Sequence, residues 1–175
     1  DSNVVNTGPL GGAYPRDAAG SQGMKEGDTP SWFFFLDNGL NSPENPNWGG
    51  WGGRFELNNG NIYHDARDNY SGSHDRMVTV WRWRPHFQND FAARLDWSVT
   101  SNYANANHNP EAVVAGGTNI TVAPGTTINL DARGSSDPDG NTLRFEWMHY
   151  REAGTYGNSV NVSNSNNAQA SFVAP

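Results

Sequence analysis

The sequence predicts a mixed fold: an α/β segment over residues 1–109, then an incomplete antiparallel β-sandwich over residues 110–175. Three observations lead there. The composition shifts near residue 109, with six of the seven Trp before it and Val, Thr, Asn, Ser and Gly in short runs after it. Apolar residues stand at helical spacing or in dense runs before the shift and alternate with period two after it. Between the two parts Tyr103–Pro110 (YANANHNP) is small, polar and closed by Pro, as a linker is.

Asp1 to Gly27 is Gly-rich and irregular, and reads as loop. In Glu26–Leu40 (EGDTPSWFFFLDNGL), Asp28 or Thr29 suits a helix N-cap. Pro30 suits the first turn, and Gly39 the left-handed position past the end. WFFFL is apolar on every side, which predicts a short helix buried all round, with a strand as the other reading. Asn41–Glu56 (NSPENPNWGGWGGRFE) sets Gly pairs around two Trp and reads as a loop whose rings lie near backbone. In Met77–Trp97 the residues Met77, Trp81, Phe87, Phe91 and Leu95 recur at roughly helical spacing, and Pro85 starts or kinks a helix. Arg82, Arg84, Arg94 and Trp83 fall off that stripe, Trp83 toward solvent; the arginines, with Asp90 and Asp96, are expected to pair along the helices.

The second part alternates over TINLDA and again over LRFEWMHY, with SSDPDGN as the turn between them, and VNVSNSNNAQASFVAP adds two short strands. Sandwiches of this kind run to about 100 residues. The remaining length is therefore expected to leave edge strands missing or supplied by another chain, and an unpaired edge is a site for self-association.

The totals narrow the function classes. Hydrophobic residues make up 35% and the net charge is −7, with one Lys and ten Arg. That balance disfavours nucleic acid and membrane surfaces, both of which need basic patches, and membrane insertion needs an apolar run of about 20 residues that the sequence lacks. Without Cys there is no disulfide, thiolate or Cys-zinc chemistry. The five His show no HxxxH or HxH spacing, so zinc has no motif here.

EGDTPSWFFFLDNGLNSPENPNWGGWGGRFE resembles the motif of a bacterial family of cellulose-binding proteins. WRWRPHFQNDFAARLDW, the NHNP linker and LDARGSSDPDGNTLRFEWMHYREAGTY are similar to later stretches of the same family. The resemblance implies the C-terminal portion of a nucleoside-hydrolase-like α/β domain, then a truncated immunoglobulin-, PKD- or cadherin-like module. It further implies a larger parent, with an N-terminal portion corresponding to the one whose Asp cluster holds calcium in true nucleoside hydrolases, and a secreted, periplasmic or cell-surface location.

The candidate sites follow. Trp48, Trp51 and Phe55 offer flat faces to the apolar C–H face of a sugar, with Arg54, Glu56, Asn58 and Asn59 beside them for hydroxyl groups; the same rings also suit a core. Asp28 before Pro30 is similar to the late Asp that completes the nucleoside-hydrolase calcium site, and equally suits a cap. Asp131, Asp137 and Asp139, with Ser136, Asn141 and Glu146, supply hard oxygen ligands for Ca²⁺, or an Asx-type turn. His64–Asp65 and His74–Asp75 are candidate acid–base pairs, or solvated loop. Three functions remain open: binding of cellulose or a related polysaccharide, calcium-dependent hydrolysis of a glycosidic bond by the parent, and assembly through an open β-edge.

Overall fold

Proline lacks the N–H that a helix leaves unpaired in its first turn. Pro30 stands there in helix α1, Thr29–Phe34, in the computed structural model, which describes residues 29–36 and 45–175. Asp1–Gly27, Asp28 and Gly39 lie outside the described residues. The expected all-round burial of α1 is corrected: Trp32 is 63% and Phe35 68% exposed. Successive helical residues point about 100° apart, so the rings of so short a helix turn in different directions. Phe33 packs on Phe87 at 4.9 Å and edge-on to Trp51 at 6.1 Å, and Phe34 edge-on to Phe55 at 5.5 Å.

After a 3₁₀ turn at Pro46–Trp48 come two hairpins that no apolar alternation in the sequence marks. Strands β1 (Phe55–Asn59) and β2 (Ile62–Asp65) pair antiparallel, with Phe55 opposite Asp65, Glu56 opposite His64 and Leu57 opposite Tyr63. Strands β3 (Asp68–Tyr70) and β4 (Ser73–Asp75) pair through a two-residue turn, Ser71 and Gly72, at φ 50° and 82°. Two positive φ values are the type I′ requirement, whose twist matches the strands it joins.

Asp75 Oδ1 then accepts the N–H of Met77 (2.8 Å), and α2 follows over Val78–Trp81. Helix α3, Arg84–Val99, carries Pro85 in its first turn. The break at Arg82–Trp83 resets the helical phase, which corrects the expected stripe. Trp83 is buried (5% exposed) and Arg82 is buried with it, while Met77 and Trp81 are about half exposed. Within α3 the stripe holds, with Leu95 buried and Phe87 and Phe91 half-buried. Arg94 Nε donates to Asp90 Oδ2 at 2.7 Å, one helical turn apart.

The chain divides into two units, Asp1–Ala106 and Asn107–Pro175. In the second, β5 (Thr127–Asp131) pairs antiparallel with β6 (Gln169–Val173), Leu130 opposite Ala170 and Asn129 opposite Ser171. Ile128 and Ala170 are its buried residues on these strands. The sequence expects four strands in a sandwich; this unit forms one two-stranded sheet. Leu143–His149 keeps its alternation, with Leu143, Phe145, Trp147 and His149 half-buried and Arg144, Glu146 and Met148 exposed. The segment is held by single bonds, Trp147 N–H to Ser165 O (2.8 Å) and its indole N–H to Asn167 O (2.8 Å), in place of a ladder. Period-two patterning sets which side chains turn inward, and a ladder needs in addition a partner in register.

Candidate functional site

Short, exposed hairpins are marginal by themselves, and a buried ion network holds these. Asp68 is fully buried, at 0% exposure. Arg54 Nε donates to its Oδ1 at 2.8 Å, and Arg82 Nη1 to its Oδ2 at 2.9 Å. Arg54 reaches further, to Glu56 Oε1 at 2.9 Å and to the carbonyl of Arg67 at 3.0 Å. The guanidinium of Arg82 also lies 5.4 Å from the ring centres of Tyr70 and Trp83. One carboxylate thus ties the residue before β1, the start of β3 and the end of α2 together. A buried charge is tolerated when paired and hydrogen-bonded in this way.

Against this frame stands the Trp/Gly loop. Gly49, Gly50, Gly52 and Gly53 are buried. Gly53 has φ +103°, and a Cβ there would meet Thr79 Oγ1 at 3.1 Å and Val80 Cγ2 at 3.3 Å, so the backbone approaches α2 where only glycine fits. The two loop tryptophans part company. Trp51 is packed on Phe33, and its indole N–H is buried with no hydrogen-bond partner among the described residues. Trp48, on the 3₁₀ turn, is 45% exposed. Phe55 is half-buried against Phe34. Arg54, expected to reach sugar hydroxyls, is 5% exposed and committed to its network, so its place is under the hairpin as a positioning group. Glu56, Asn58 and Asn59 on β1 are exposed.

The His–Asp neighbours do not form pairs with each other. His64 Nε2 faces Glu56 Oε2 at 3.8 Å across the β1–β2 register, and Asp75 caps the turn into α2. Beside β2 lies a groove of about 450 Å³ lined by Phe55, Tyr63, His64, Asp65, Arg67 and Arg76.

In the second unit the three candidate calcium carboxylates each take a different partner. Asp131 is held by Arg133, Nη2 to Oδ2 at 2.6 Å, and that hydrogen bond is the main cause lowering its pKa to about 2. Asp137 Oδ1 accepts the N–H groups of Asp139 (2.9 Å) and Asn141 (3.1 Å), an Asx turn closed by Gly140 at φ 73°. Asp139 meets His108, its Oδ1 2.9 Å from the ring Nδ1 and its Oδ2 accepting the backbone N–H at 2.6 Å. The ring contact is the largest of the effects that lower the Asp139 pKa. Calcium asks for about six to eight oxygens converging on one point. Among the described residues no group of three or more His, Asp or Glu is gathered in that way. Asp28 lies outside the described residues.

A frame of small antiparallel hairpins and helices, followed by a second unit built on turns, has a counterpart among solved structures, and that counterpart is described as nucleoside hydrolase-related. The chain is similar to a nucleoside hydrolase-related hypothetical protein from Saccharophagus degradans that is associated with carbohydrate metabolism, at 36% identity and a TM-score of 0.72. The match covers 100% of this chain and 46% of that one, so the chain spans about half the length of that relative. More narrowly, residues 1–55 match the family model of cellulose-binding Sde182, nucleoside hydrolase-like domain. Residues 127–175 match that of cellulose-binding protein Sde0182, C-terminal domain. The chain carries both domain signatures of this family, as its motifs led one to expect. No curated protein matches it.

Proposed function

We propose that the chain is part of a carbohydrate-binding protein acting on cellulose or a related glucan, and that the Trp48 ring is the sugar contact in the Trp/Gly loop. One observation carries the reading: Trp48 presents nearly half its surface to solvent from a proline-started turn beside β1, while its neighbour Trp51 packs inward. A flat exposed ring on a rigid support suits the apolar face of a pyranose, and rigidity limits the ordering cost of binding. The names of the two matched families and the carbohydrate association of the solved relative support the same ligand class. An insoluble glucan as ligand fits a protein that works outside the cytoplasm.

The test is retention of the chain on microcrystalline cellulose, with Trp48→Ala beside the wild type. The reading expects the wild type to be retained and the variant to bind about tenfold or more weakly, the size of one lost aromatic anchor. Equal retention of the two removes Trp48 from the site. No retention of either removes cellulose as the ligand. Trp51→Ala is unsuited to this purpose, because it opens the packing against Phe33.

A further inference from the structure

We propose that the groove beside β2 binds a sugar residue bearing an acid group, through Arg67 and Arg76. Trp48 is not among the residues that line this groove, and the proposal rests on the carbohydrate reading only for the word sugar. Its walls combine the three kinds of group that such a residue requires. Phe55 and Tyr63, the latter 48% exposed, supply aromatic surface for the C–H face. Asp65 and the ring of His64 supply polar atoms for hydroxyl groups. Arg67 and Arg76 supply two guanidinium groups, whose planar donor fork matches a carboxylate or sulfate.

The two arginines differ from most others in the first unit. Arg54 and Arg82 are consumed by Asp68, and Arg94 by Asp90. Arg67 and Arg76 are exposed, and among the described residues neither makes an ion pair. Their backbones are nonetheless fixed. The carbonyl of Arg67 accepts from buried Arg54, and that of Arg76 accepts from Thr79 Oγ1 at 2.7 Å. Among the residues lining the groove two arginines stand with one carboxylate, Asp65, in a chain whose net charge is −7. A neutral glucan gives such a pair nothing to neutralise. Nucleic acid is excluded by scale, since its binders spread about six to ten phosphate contacts over a basic surface. The volume, about 450 Å³, falls in the range of small-ligand sites, roughly 300–1,000 Å³.

The experiment is calorimetric titration of the full chain with three oligosaccharides of equal length: an oligouronate, a sulfated galactan fragment and a cello-oligosaccharide. The wild type, Arg67→Ala, Arg76→Ala, the double variant and Trp48→Ala are compared. The proposal expects one or both acidic sugars to bind. Whichever binds identifies the acid as carboxylate or sulfate. In the double variant that binding falls by about tenfold to a hundredfold, the range for losing one or two charge-assisted hydrogen bonds, while the melting temperature holds. Trp48→Ala leaves it unchanged. The proposal is overturned if neither acidic sugar binds, or if the double variant binds them as the wild type does. Loss of cello-oligosaccharide binding in Trp48→Ala alone bears on the glucan reading and leaves this one standing.

Discussion

In the first unit a buried carboxylate is shared by two arginines, whereas in the second the carboxylates take their partners near the surface. Asp68 is 0% exposed between Arg54 and Arg82. Asp131 meets an Arg133 side chain that is 65% exposed, and Asp137 bonds its own turn. Both units are poor in aliphatic residues, and each compensates differently. The first combines rings with charge: Phe33 joins α1 to α3, Phe34 reaches β1, and Asp68 ties β3 to β1 and α2. The second depends on Asx turns, single backbone bonds and one two-stranded sheet. Interactions away from water are strong when complete and costly when broken, while exposed pairs contribute little. The buried ion network thus stands in the same unit as Trp48 and the groove beside β2.

The largest expected effect tests that contrast at its centre. Asp68→Asn removes the negative charge that two buried guanidinium groups share and should cost about 3–5 kcal/mol. Calorimetry should show the transition of the first unit falling steeply and that of the second unmoved. A shift shared by both transitions would break the comparison. Next comes Gly53→Ala. At φ +103° with Thr79 and Val80 within 3.3 Å, a methyl group adds strain of about 1–3 kcal/mol, read as a lower denaturant midpoint for the first unit.

The smallest effect sharpens the other side. Arg133→Ala should leave the melting of the second unit almost unchanged, yet raise the Asp131 midpoint from about 2 toward 3.8, followed by carboxyl carbon NMR. The sign follows from the lowered value. The favourable Asp131 contribution is present above 3.8 and is lost as pH falls through about 2. An unmoved midpoint would mean that Arg133 does not hold that carboxylate.

Particular residues show what the sequence disclosed. Pro30 and Pro85 marked two helix starts because their chemistry is local. DPDG marked a turn because Asp137 bonds backbone only two and four residues away. The stripe through Met77 and Trp81 failed, since its phase assumed one helix where the chain breaks at Arg82–Trp83. The two hairpins were readable in principle from Gly60 and Ser71-Gly72, where φ > 0 is needed, but apart from Phe55, Asp68 and Asp75 their strand residues are exposed and carry no apolar alternation. Arg54 was legible as a residue near the rings and illegible as a buried one. Its partner Asp68 lies fourteen positions away, a distance that no local pattern reports. The groove was hidden for the same reason, being assembled from residues as far apart as Phe55 and Arg76.

The most direct measurement is a titration of the isotopically labelled chain with a cello-oligosaccharide, following the indole N–H signals of the tryptophans. The account predicts that the Trp48 signal moves with saturation, while those of buried Trp83, inward-packed Trp51 and the second unit's Trp147 stay in place. A Trp51 or Trp147 signal that moves while Trp48 does not, or a spectrum with no change at all, would contradict it.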